Sequence, residues 1–384
     1  MTCFAKTIFL SCAFAGVLCQ TVSADEVVTR SGRSGKGAVT WDQGGFRLTS
    51  GEKSGVLPVT DVVEVRFGAL ESVTDVHSEV LTLTDGTLLS GSARCRSKGS
   101  KVDFKMTIGL EVSFAYDRMI SIDVRPMRRR SAGERPSVAA GQVLAIYTDG
   151  SVRGAEFSYL TAQTLGVKVD GARDRVRKST VSRIFFQNAQ PSWSDGMVVR
   201  TRAGDRLIGS IVSLDNQQLV FKSSVGELTI PKRELLSIEL QDDRISRLTE
   251  KKPLEVKRVP YLETLYGPSF NKDLFGFPLR VGEVPFLNGV ALHSRTEIFY
   301  DVKGQSVFLC HVGLDTRYSV RGAAKLVISC DGKASQVVDL VRAGPVVPIA
   351  IPLNGCSKLG IHLDYGPMGS SGDHGLVLNP RLIK

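Results

Sequence analysis

The fold is decided by a hairpin phrase that first reads EVLTLTDGTLLSG, at residues 79–91. Two short runs of alternating apolar residues flank an Asp-Gly pair, which is a strong signal for two antiparallel strands joined by a tight turn. The phrase returns as QVLAIYTDGSVRG at 142–154 and as MVVRTRAGDRLIG at 197–209. This recurrence predicts a repeated all-β unit.

Each repeat also closes on a short strand rich in β-branched residues. One apolar position of that strand recurs as Val65, Ile122, Ile184 and Ile238, at intervals of 57, 62 and 54 residues. Units of this size, with period-two alternation and no helical stripe, are typical of small SH3-like or Sm-like β-barrels or strongly bent sheets. Because so small a unit buries little apolar surface alone, we expect the units to pack together or to pair their edges.

The repeats and the segments between them suggest a domain organisation. Residues 126–140 are basic and poor in apolar residues, and residues 243–257 are strongly charged, so both segments are predicted to be linkers. The predicted organisation is a signal peptide over 1–24, a degenerate β repeat over 25–70, β repeats over 76–125, 141–188 and 195–242, and a last domain over 258–384.

The composition is that of an ordinary globular protein, with 42% hydrophobic and 23% charged residues. The 49 Lys and Arg exceed the 39 Asp and Glu, which gives a net charge of +10 that is spread along the chain. No stripe of basic residues interleaved with aromatics occurs, so nucleic acid is not an expected partner. A weak attraction to anionic cell-surface polymers fits this charge better.

The N-terminal residues predict a secretory signal peptide. Lys6 precedes an apolar run over residues 7–19, and small residues at 22–24 precede an acidic pair. We expect cleavage near Ala24 and a secreted, periplasmic or cell-envelope protein. An uncleaved membrane anchor would need about 20 apolar residues, and the run over residues 7–19 is shorter than that. No other apolar run in the sequence is long enough to span a membrane.

Four cysteines remain after this cleavage, in a compartment that permits disulfides. Cys310 and Cys330 are the candidates for a bridge because both are predicted to point into the last domain. The alternative is independent buried thiols, which pack well as small apolar residues. The pairing is left open among Cys95, Cys310, Cys330 and Cys356.

The last domain holds at least seven short strands separated by turns, which is typical of a β-sandwich. Several phrases follow one another along it. These phrases are Leu292-His293-Ser294, Tyr300-Asp301-Val302 with Gly304, Val312-Gly313-Leu314-Asp315, Asp331-Gly332-Lys333 and Asp373-His374.

In this order the phrases resemble the NPCBM family, the novel putative carbohydrate-binding modules that accompany many secreted glycoside hydrolases. The resemblance covers about a third of the chain and implies a galactose-binding-like jelly-roll sandwich that binds carbohydrate. One departure follows Asp373-His374, where the family tends to carry a small residue, an acid and a Trp. Here Gly375, Leu376 and Val377 stand in that place.

The resemblance implies a ligand site at the loops on one rim of the sandwich. We expect Tyr318 or Tyr365 to stack on a sugar, and Arg317, Asp315 and His293 to hydrogen bond its hydroxyls. The complete set of predicted ligand-binding residues is His293, Asp315, Arg317, Tyr318, Tyr365, Asp373 and His374. Each also has a structural interpretation, since Gly and Asp favour turns and a histidine at a strand end often satisfies a buried backbone group.

His311 alternates with Cys310 and Val312, so it is predicted to face solvent. None of the five histidines lies at metal-ligand spacing from another histidine or a cysteine. The sequence also lacks a Gly-x-Ser-x-Gly elbow, a P-loop and a dinucleotide fingerprint. We therefore expect no catalytic residue, no metal and no cofactor.

Two functional hypotheses remain. The first is a non-catalytic glycan-binding protein in which the rim of the last domain contacts sugar. The second is a structural or adaptor protein that contacts protein partners through both the sandwich and the N-terminal repeats. Fold alone does not decide between them.

Overall fold

The computed structural model describes residues 24–68, 79–124, 137–139, 141–189, 191, 196–259, 266–275, 279–281, 284–286, 288–315, 322–342, 344, 346–367, 369 and 372–384. These residues form strands and short 3-10 turns, so the all-β prediction is confirmed. None of their helical segments is long and apolar enough to cross a membrane. The predicted signal peptide up to residue 23 and most of the predicted basic linker lie outside the described residues.

Four segments of the chain contain five short strands each, and we call them units one to four. Unit one has β1 (Asp25–Thr29), β2 (Ser34–Asp42), β3 (Gly45–Ser50), β4 (Lys53–Pro58) and β5 (Val62–Arg66). Unit two has β6 (Glu79–Leu83), β7 (Leu88–Cys95), β8 (Lys101–Met106), β9 (Glu111–Ala115) and β10 (Met119–Asp123). Unit three has β11 (Gln142–Tyr147), β12 (Val152–Leu160), β13 (Thr164–Val169), β14 (Ala172–Arg177) and β15 (Val181–Phe185). Unit four has β16 (Gly196–Thr201), β17 (Arg206–Leu214), β18 (Gln218–Ser223), β19 (Gly226–Pro231) and β20 (Leu235–Gln241).

The strands are connected in the same way in every unit. The first four form an antiparallel meander, and the fifth returns to pair with the first. A 3-10 turn precedes the fifth strand each time, at Val59–Asp61, Tyr116–Arg118, Lys178–Thr180 and Lys232–Glu234. The hairpin phrase and the closing strand recur together in the sequence because they lie side by side in each unit.

The turns of the hairpin phrases depend on glycine. Gly86, Gly150 and Gly204 have φ of +83°, +90° and +94°. Each glycine N–H donates to the carbonyl oxygen three residues earlier, at 3.0, 2.9 and 3.0 Å. Residues with a Cβ rarely adopt this left-handed conformation, so glycine stands where the turn geometry requires it.

The closing strands join the units in two pairs. β5 of unit one pairs with β20 of unit four, and β10 of unit two pairs with β15 of unit three, both antiparallel. The recurring apolar position lies in the middle of each pairing, where Val65 faces Ile238 and Ile122 faces Ile184. All four side chains are fully buried. The position that recurs in the sequence therefore lies at the centre of both pairings between closing strands.

The remaining strands form a second domain. They are β21 (Ile245–Arg247), β22 (Glu255–Arg258), β23 (Ser269–Phe270), β24 (Leu279–Val281), β25 (Val284–Phe286), β26 (Gly289–His293), β27 (Thr296–Asp301), β28 (Val307–Leu314), β29 (Ala323–Cys330), β30 (Lys333–Val341), β31 (Val347–Pro352), β32 (Lys358–Tyr365) and β33 (His374–Ile383). One sheet has the order β23-β26-β33-β28-β31, with β21 also on β33, and the other has the order β22-β27-β32-β29-β30. An apolar core that includes Leu292, Tyr300, Phe308 and Ile328 lies between them, so the predicted β-sandwich is confirmed.

The segment 243–257, predicted as a linker, is instead part of the sandwich. β21 pairs with β33, β22 pairs with β27, and Leu248 between them is fully buried. The charged residues of segment 243–257 had predicted a mobile linker. All four residues of β22 are instead exposed because this strand forms the edge of a sheet. Charged side chains are common on such edges because they discourage pairing with other chains.

The disulfide also differs from the candidate pair. Cys330 is bonded to Cys356, whereas Cys310 and Cys95 are free and buried. Cys330 ends β29, and the neighbouring β32 begins just after Cys356, which brings these two residues together. Cys310 lies in the opposite sheet and contributes to the apolar core.

The strands β28 and β33 are buried on both faces. Every residue in both strands is buried. One face lines the sandwich core, and Val307, Leu309 and Ile383 on the other face pack against Val28 and Val63 of unit one. The repeats therefore cover the outer face of this sheet.

This cover explains why the prediction for His311 is wrong. His311 does alternate with the core residues of β28, but it is 4% exposed because unit one lies over it. Its Nε2 is 3.9 Å from Oε1 of Glu64 in β5.

Limited proteolysis tests the correction at residues 243–257. In the native full chain we expect trypsin to cut after exposed Lys98 before it cuts after Arg247, because the backbone of β21 is paired with β33. The measurement is the order of cleavage followed by mass spectrometry. Early cleavage at Arg247 that releases a folded sandwich would show that this segment is a linker after all.

Candidate functional site

Five of the seven predicted ligand-binding residues meet at one end of the sandwich. β26 ends at His293, β28 ends just before Asp315, β32 ends at Tyr365, and β33 begins at His374, directly after Asp373. Neighbouring strands run antiparallel, so these termini lie at the same rim. Arg317 and Tyr318 follow Asp315 in the chain but lie outside the described residues.

Two histidines occupy the centre of this rim. His293 and His374 are cross-strand partners of β26 and β33, and their rings meet edge to face at 5.6 Å between centroids. Tyr266 stacks on His293 at 4.9 Å, and Phe275 lies 5.3 Å from His374. We call Tyr266, Phe275, His293 and His374 the rim cluster.

The imidazoles of the rim cluster are held in the neutral form. Burial lowers the pKa of His293 and, together with the neighbouring His293, lowers that of His374. Asp315 and Asp273 oppose this shift at His374 in part. A neutral imidazole has one donor and one acceptor nitrogen, which suits it to bind hydroxyl groups.

Asp373 lies behind the rim cluster and is fully buried. Burial raises its pKa to about 6, although the Ser294 hydroxyl and the backbone N–H groups of Ala323 and Gly366 oppose the rise. Among the described residues, no group makes a hydrogen bond of normal geometry to either of its carboxylate oxygens.

Tyr365, a predicted stacking residue, contacts another side chain. The guanidinium of Arg295 lies 5.6 Å from the centre of its ring and 4.0 Å from Asp364. Arg295 has φ of +63°, so the turn between β26 and β27 positions it there. One face of Tyr365 is therefore covered by a cation.

The sequence did not single out the two aromatic members of the rim cluster. Tyr266 and Phe275 belong to none of the family phrases, and nothing in their local sequence distinguishes them from core residues. Their role depends on contacts with β26 and β33, which are far away in the sequence. The histidines were found because they belong to the family phrases.

The described residues contain one group with metal-ligand spacing, formed by Cys330, Asp331 and Cys356. Both sulfurs belong to the disulfide, so they offer no thiolate. The group lies at the opposite end of the sandwich from the rim cluster, because Cys330 ends the strand that begins at Ala323. It adds nothing to the rim site.

Residues 250–383 match the model of the NPCBM/NEW2 domain family. The C-terminal third of the chain is therefore an NPCBM domain, as the sequence phrases predicted. No curated protein matches the chain. The family match supports a carbohydrate-binding module in this part of the protein.

Several solved structures are similar to the chain. The CBM51 module of a Clostridium perfringens GH95 protein in complex with methyl-galactose is 17% identical, with a TM-score of 0.33 over 36% of this chain and 99% of that one. The CBM51-2 and INT domains of Clostridium perfringens ZmpB are 16% identical, with a TM-score of 0.34 over 49% of this chain and 43% of that one. An exo-beta-1,3-galactanase from Phanerochaete chrysosporium with beta-1,3-galactotriose is 9% identical, with a TM-score of 0.27 over 94% and 99%. The family match, rather than these likenesses, identifies the domain.

The buried carboxyl of Asp373 predicts a specific pH dependence of stability. Its pKa is raised from 3.8 to about 6, so the folded protein holds this proton more tightly than the unfolded chain does. The contribution of this group to the free energy of unfolding therefore falls as the pH rises from about 4 to about 6. We expect Asp373→Asn to remove this fall and to raise stability at neutral pH by about 1–3 kcal/mol.

The measurement is urea unfolding of both proteins between about pH 4 and pH 8, with the difference in free energy taken at each pH. A difference that grows with pH and then levels off above about pH 6 supports the assignment. A variant that is less stable than the wild type at neutral pH would show that the charged carboxylate has a structural partner.

Proposed function

We propose that this protein is a non-catalytic glycan-binding protein of the secreted or cell-envelope space, and that the rim of its C-terminal sandwich contacts the sugar. The observation that carries the proposal is the rim cluster, in which the His293–His374 pair lies beside the ring of Tyr266. The family match of residues 250–383 supports the same ligand class.

The chemistry of the rim fits a sugar ring. Tyr266, His293 and Tyr365 are each half-buried, so each has ring area that a ligand can cover. An aromatic ring packs against the apolar face of a sugar, while the neutral imidazoles of His293 and His374 offer donors and acceptors to its hydroxyls. These two kinds of contact together define a sugar site rather than an apolar pocket.

The affinity is expected to be modest. Each sugar hydroxyl gives up water when it binds, so one hydrogen bond adds about 0.5–1.5 kcal/mol. A sugar site with one stacking aromatic ring and a few hydrogen bonds gives dissociation constants of about 10 µM to 1 mM.

The location outside the cytoplasm rests on two features. The residues before Asp25 have the pattern of a secretory signal. The Cys330–Cys356 disulfide is typical of an oxidising compartment.

Binding without catalysis is proposed because glycoside hydrolysis needs two carboxyl groups on opposite sides of the bond that breaks. At the rim, Asp373 is fully buried behind the histidines, and Asp315 is 1% exposed. Neither carboxyl is placed on the surface where the sugar would lie. Incubation of the full chain with any bound glycan should therefore release no new reducing ends.

Calorimetry against a broad glycan panel tests the proposal. With the glycan that binds the full chain best, Tyr266→Ala should weaken binding about tenfold, because the stacking surface is lost. Tyr318→Ala and Tyr365→Ala test the two platforms predicted from the sequence. Tyr159→Ala, which removes a half-buried tyrosine of unit three, is the matched control and should leave the affinity unchanged.

Two outcomes would contradict the proposal. If no glycan binds the folded protein and protein partners are recovered instead, the adaptor hypothesis replaces it. If a glycan binds with the same affinity to every rim variant, the sugar site lies elsewhere in the chain.

A further inference from the structure

A cavity of about 180 Å³ lies between the repeats and the outer face of the sandwich. Units one and four line one side of it, and the strands β25, β28, β31 and β33 line the other. His311, in the middle of β28, is part of its wall, whereas the rim cluster lies at the strand ends. The cavity is therefore separate from the rim site.

The carboxylates in the cavity are already paired with guanidinium groups. Oε2 of Glu64 accepts from Arg66 at 3.0 Å and from Arg381 at 2.9 Å. Oε1 of Glu239, the cross-strand neighbour of Glu64, accepts from Nε of Arg200 at 2.6 Å. These carboxylates thus hold the walls in place rather than await a cation.

Two hydrogen-bonding atoms of the walls are buried without a hydrogen-bond partner among the described residues. They are Nε of Arg66, which is a donor, and Nδ1 of the neutral His311, which is an acceptor when Nε2 beside Glu64 holds the ring proton. Lys36, which also lines the cavity, is exposed at its mouth and forms no ion pair with the described part of the chain. Buried polar atoms without partners are rare in folded proteins, so these atoms and the unpaired ammonium group of Lys36 point to a ligand that binds them.

The charge of the cavity points to an anion. Four cationic and three anionic side chains line it or contact its walls, which leaves one positive charge in excess. The cationic side chains are those of Lys36, Arg66, Arg200 and Arg381, and the anionic side chains are those of Glu26, Glu64 and Glu239. His311 adds no charge at neutral pH because burial lowers its pKa to about 4.

The backbone next to the cavity is shaped to present a polar side chain. β33 carries a bulge, since Leu378 pairs with His311 whereas Arg381 pairs with Leu309. Within the bulge, Asn379 has φ of +48°, is 5% exposed and lines the cavity. Bulges often turn a side chain towards a functional site.

We propose that this cavity binds a monocarboxylate built on a single sugar-sized ring, a uronic acid being the simplest example. Lys36 and Arg66 donate to the carboxylate, and Asn379 and Nδ1 of His311 bond ring hydroxyls. Phe286 and Pro348 supply the apolar wall for the ring. An apolar cavity of about 150 Å³ accepts benzene, so the volume admits one six-membered ring. A carboxylate carries one negative charge and a phosphate nearly two, so the single excess positive charge of the cavity matches a carboxylate better.

Titration calorimetry of the full-length Tyr266→Ala variant, in which the proposed sugar site at the rim is weakened, tests the ligand class of the cavity. Glucuronate and galacturonate should bind with dissociation constants of about 0.1–1 mM. Glucose and galactose, which lack the carboxylate, and acetate, which lacks the ring, should each bind at least about tenfold more weakly. Uronates that give no saturable signal, or neutral sugars or acetate that bind as tightly as the uronates, would overturn the proposal.

Variants locate the binding in the cavity. Lys36→Gln should weaken uronate binding about tenfold, whereas Lys53→Gln, at an exposed position of the same unit outside the cavity, should leave it unchanged. Asn379→Gly keeps the left-handed backbone, so the fold survives, and should weaken binding about threefold to tenfold. Uronate affinity that is the same in the wild type and in both cavity variants would overturn the proposal.

The inference is independent of the rim site. Tyr266→Ala should leave uronate binding in the cavity unchanged. If Tyr266→Ala and Lys36→Gln both abolish uronate binding in folded proteins, a single site at the rim is the better explanation and the cavity proposal fails.

Discussion

The rest of the structure depends on the burial of Glu64 between the repeats and the sandwich. Burial alone raises the pKa of this carboxyl, but the guanidinium groups of Arg66 and Arg381 outweigh it and hold the pKa well below its usual range. Arg66 belongs to unit one and Arg381 to the sandwich, so one carboxylate ties the two domains together. Loss of one partner from such a buried pair costs about 3–5 kcal/mol, which makes the relative position of the domains specific.

This attachment decides which surfaces of the sandwich remain available to a ligand. β28 and β33 are buried on both faces, because unit one covers the side that faces away from the sandwich core. The ends of the same strands are left open at the rim, where the half-buried rings of Tyr266 and His293 lie. The open rim, where we propose the sugar site, and the cavity under the repeats thus both depend on how the two domains dock.

The sequence predicted the features that depend on local geometry. Asp-Gly or Gly-Asp pairs indicated the hairpin turns of units two to four, and the recurring Val65, Ile122, Ile184 and Ile238 indicated the closing strands. Packing between the units was expected, but which particular residues of distant segments meet was not predicted. His311 was expected to face solvent because alternation shows that a side chain leaves one core but not that another domain covers it. Cys356 and Tyr266 lie in turns or short connecting segments, where no periodicity indicates which partner they meet.

Hydrogen–deuterium exchange of the full chain, with and without a glycan that binds it, tests the central claim most directly. The account predicts that the glycan slows exchange at residues 293–296, 363–367 and 372–375, where the strand ends form the rim. Residues 307–312 should exchange slowly in both states, because the repeats already cover them. Slower exchange confined to the repeats, or fast exchange of 307–312 without glycan, would contradict the account.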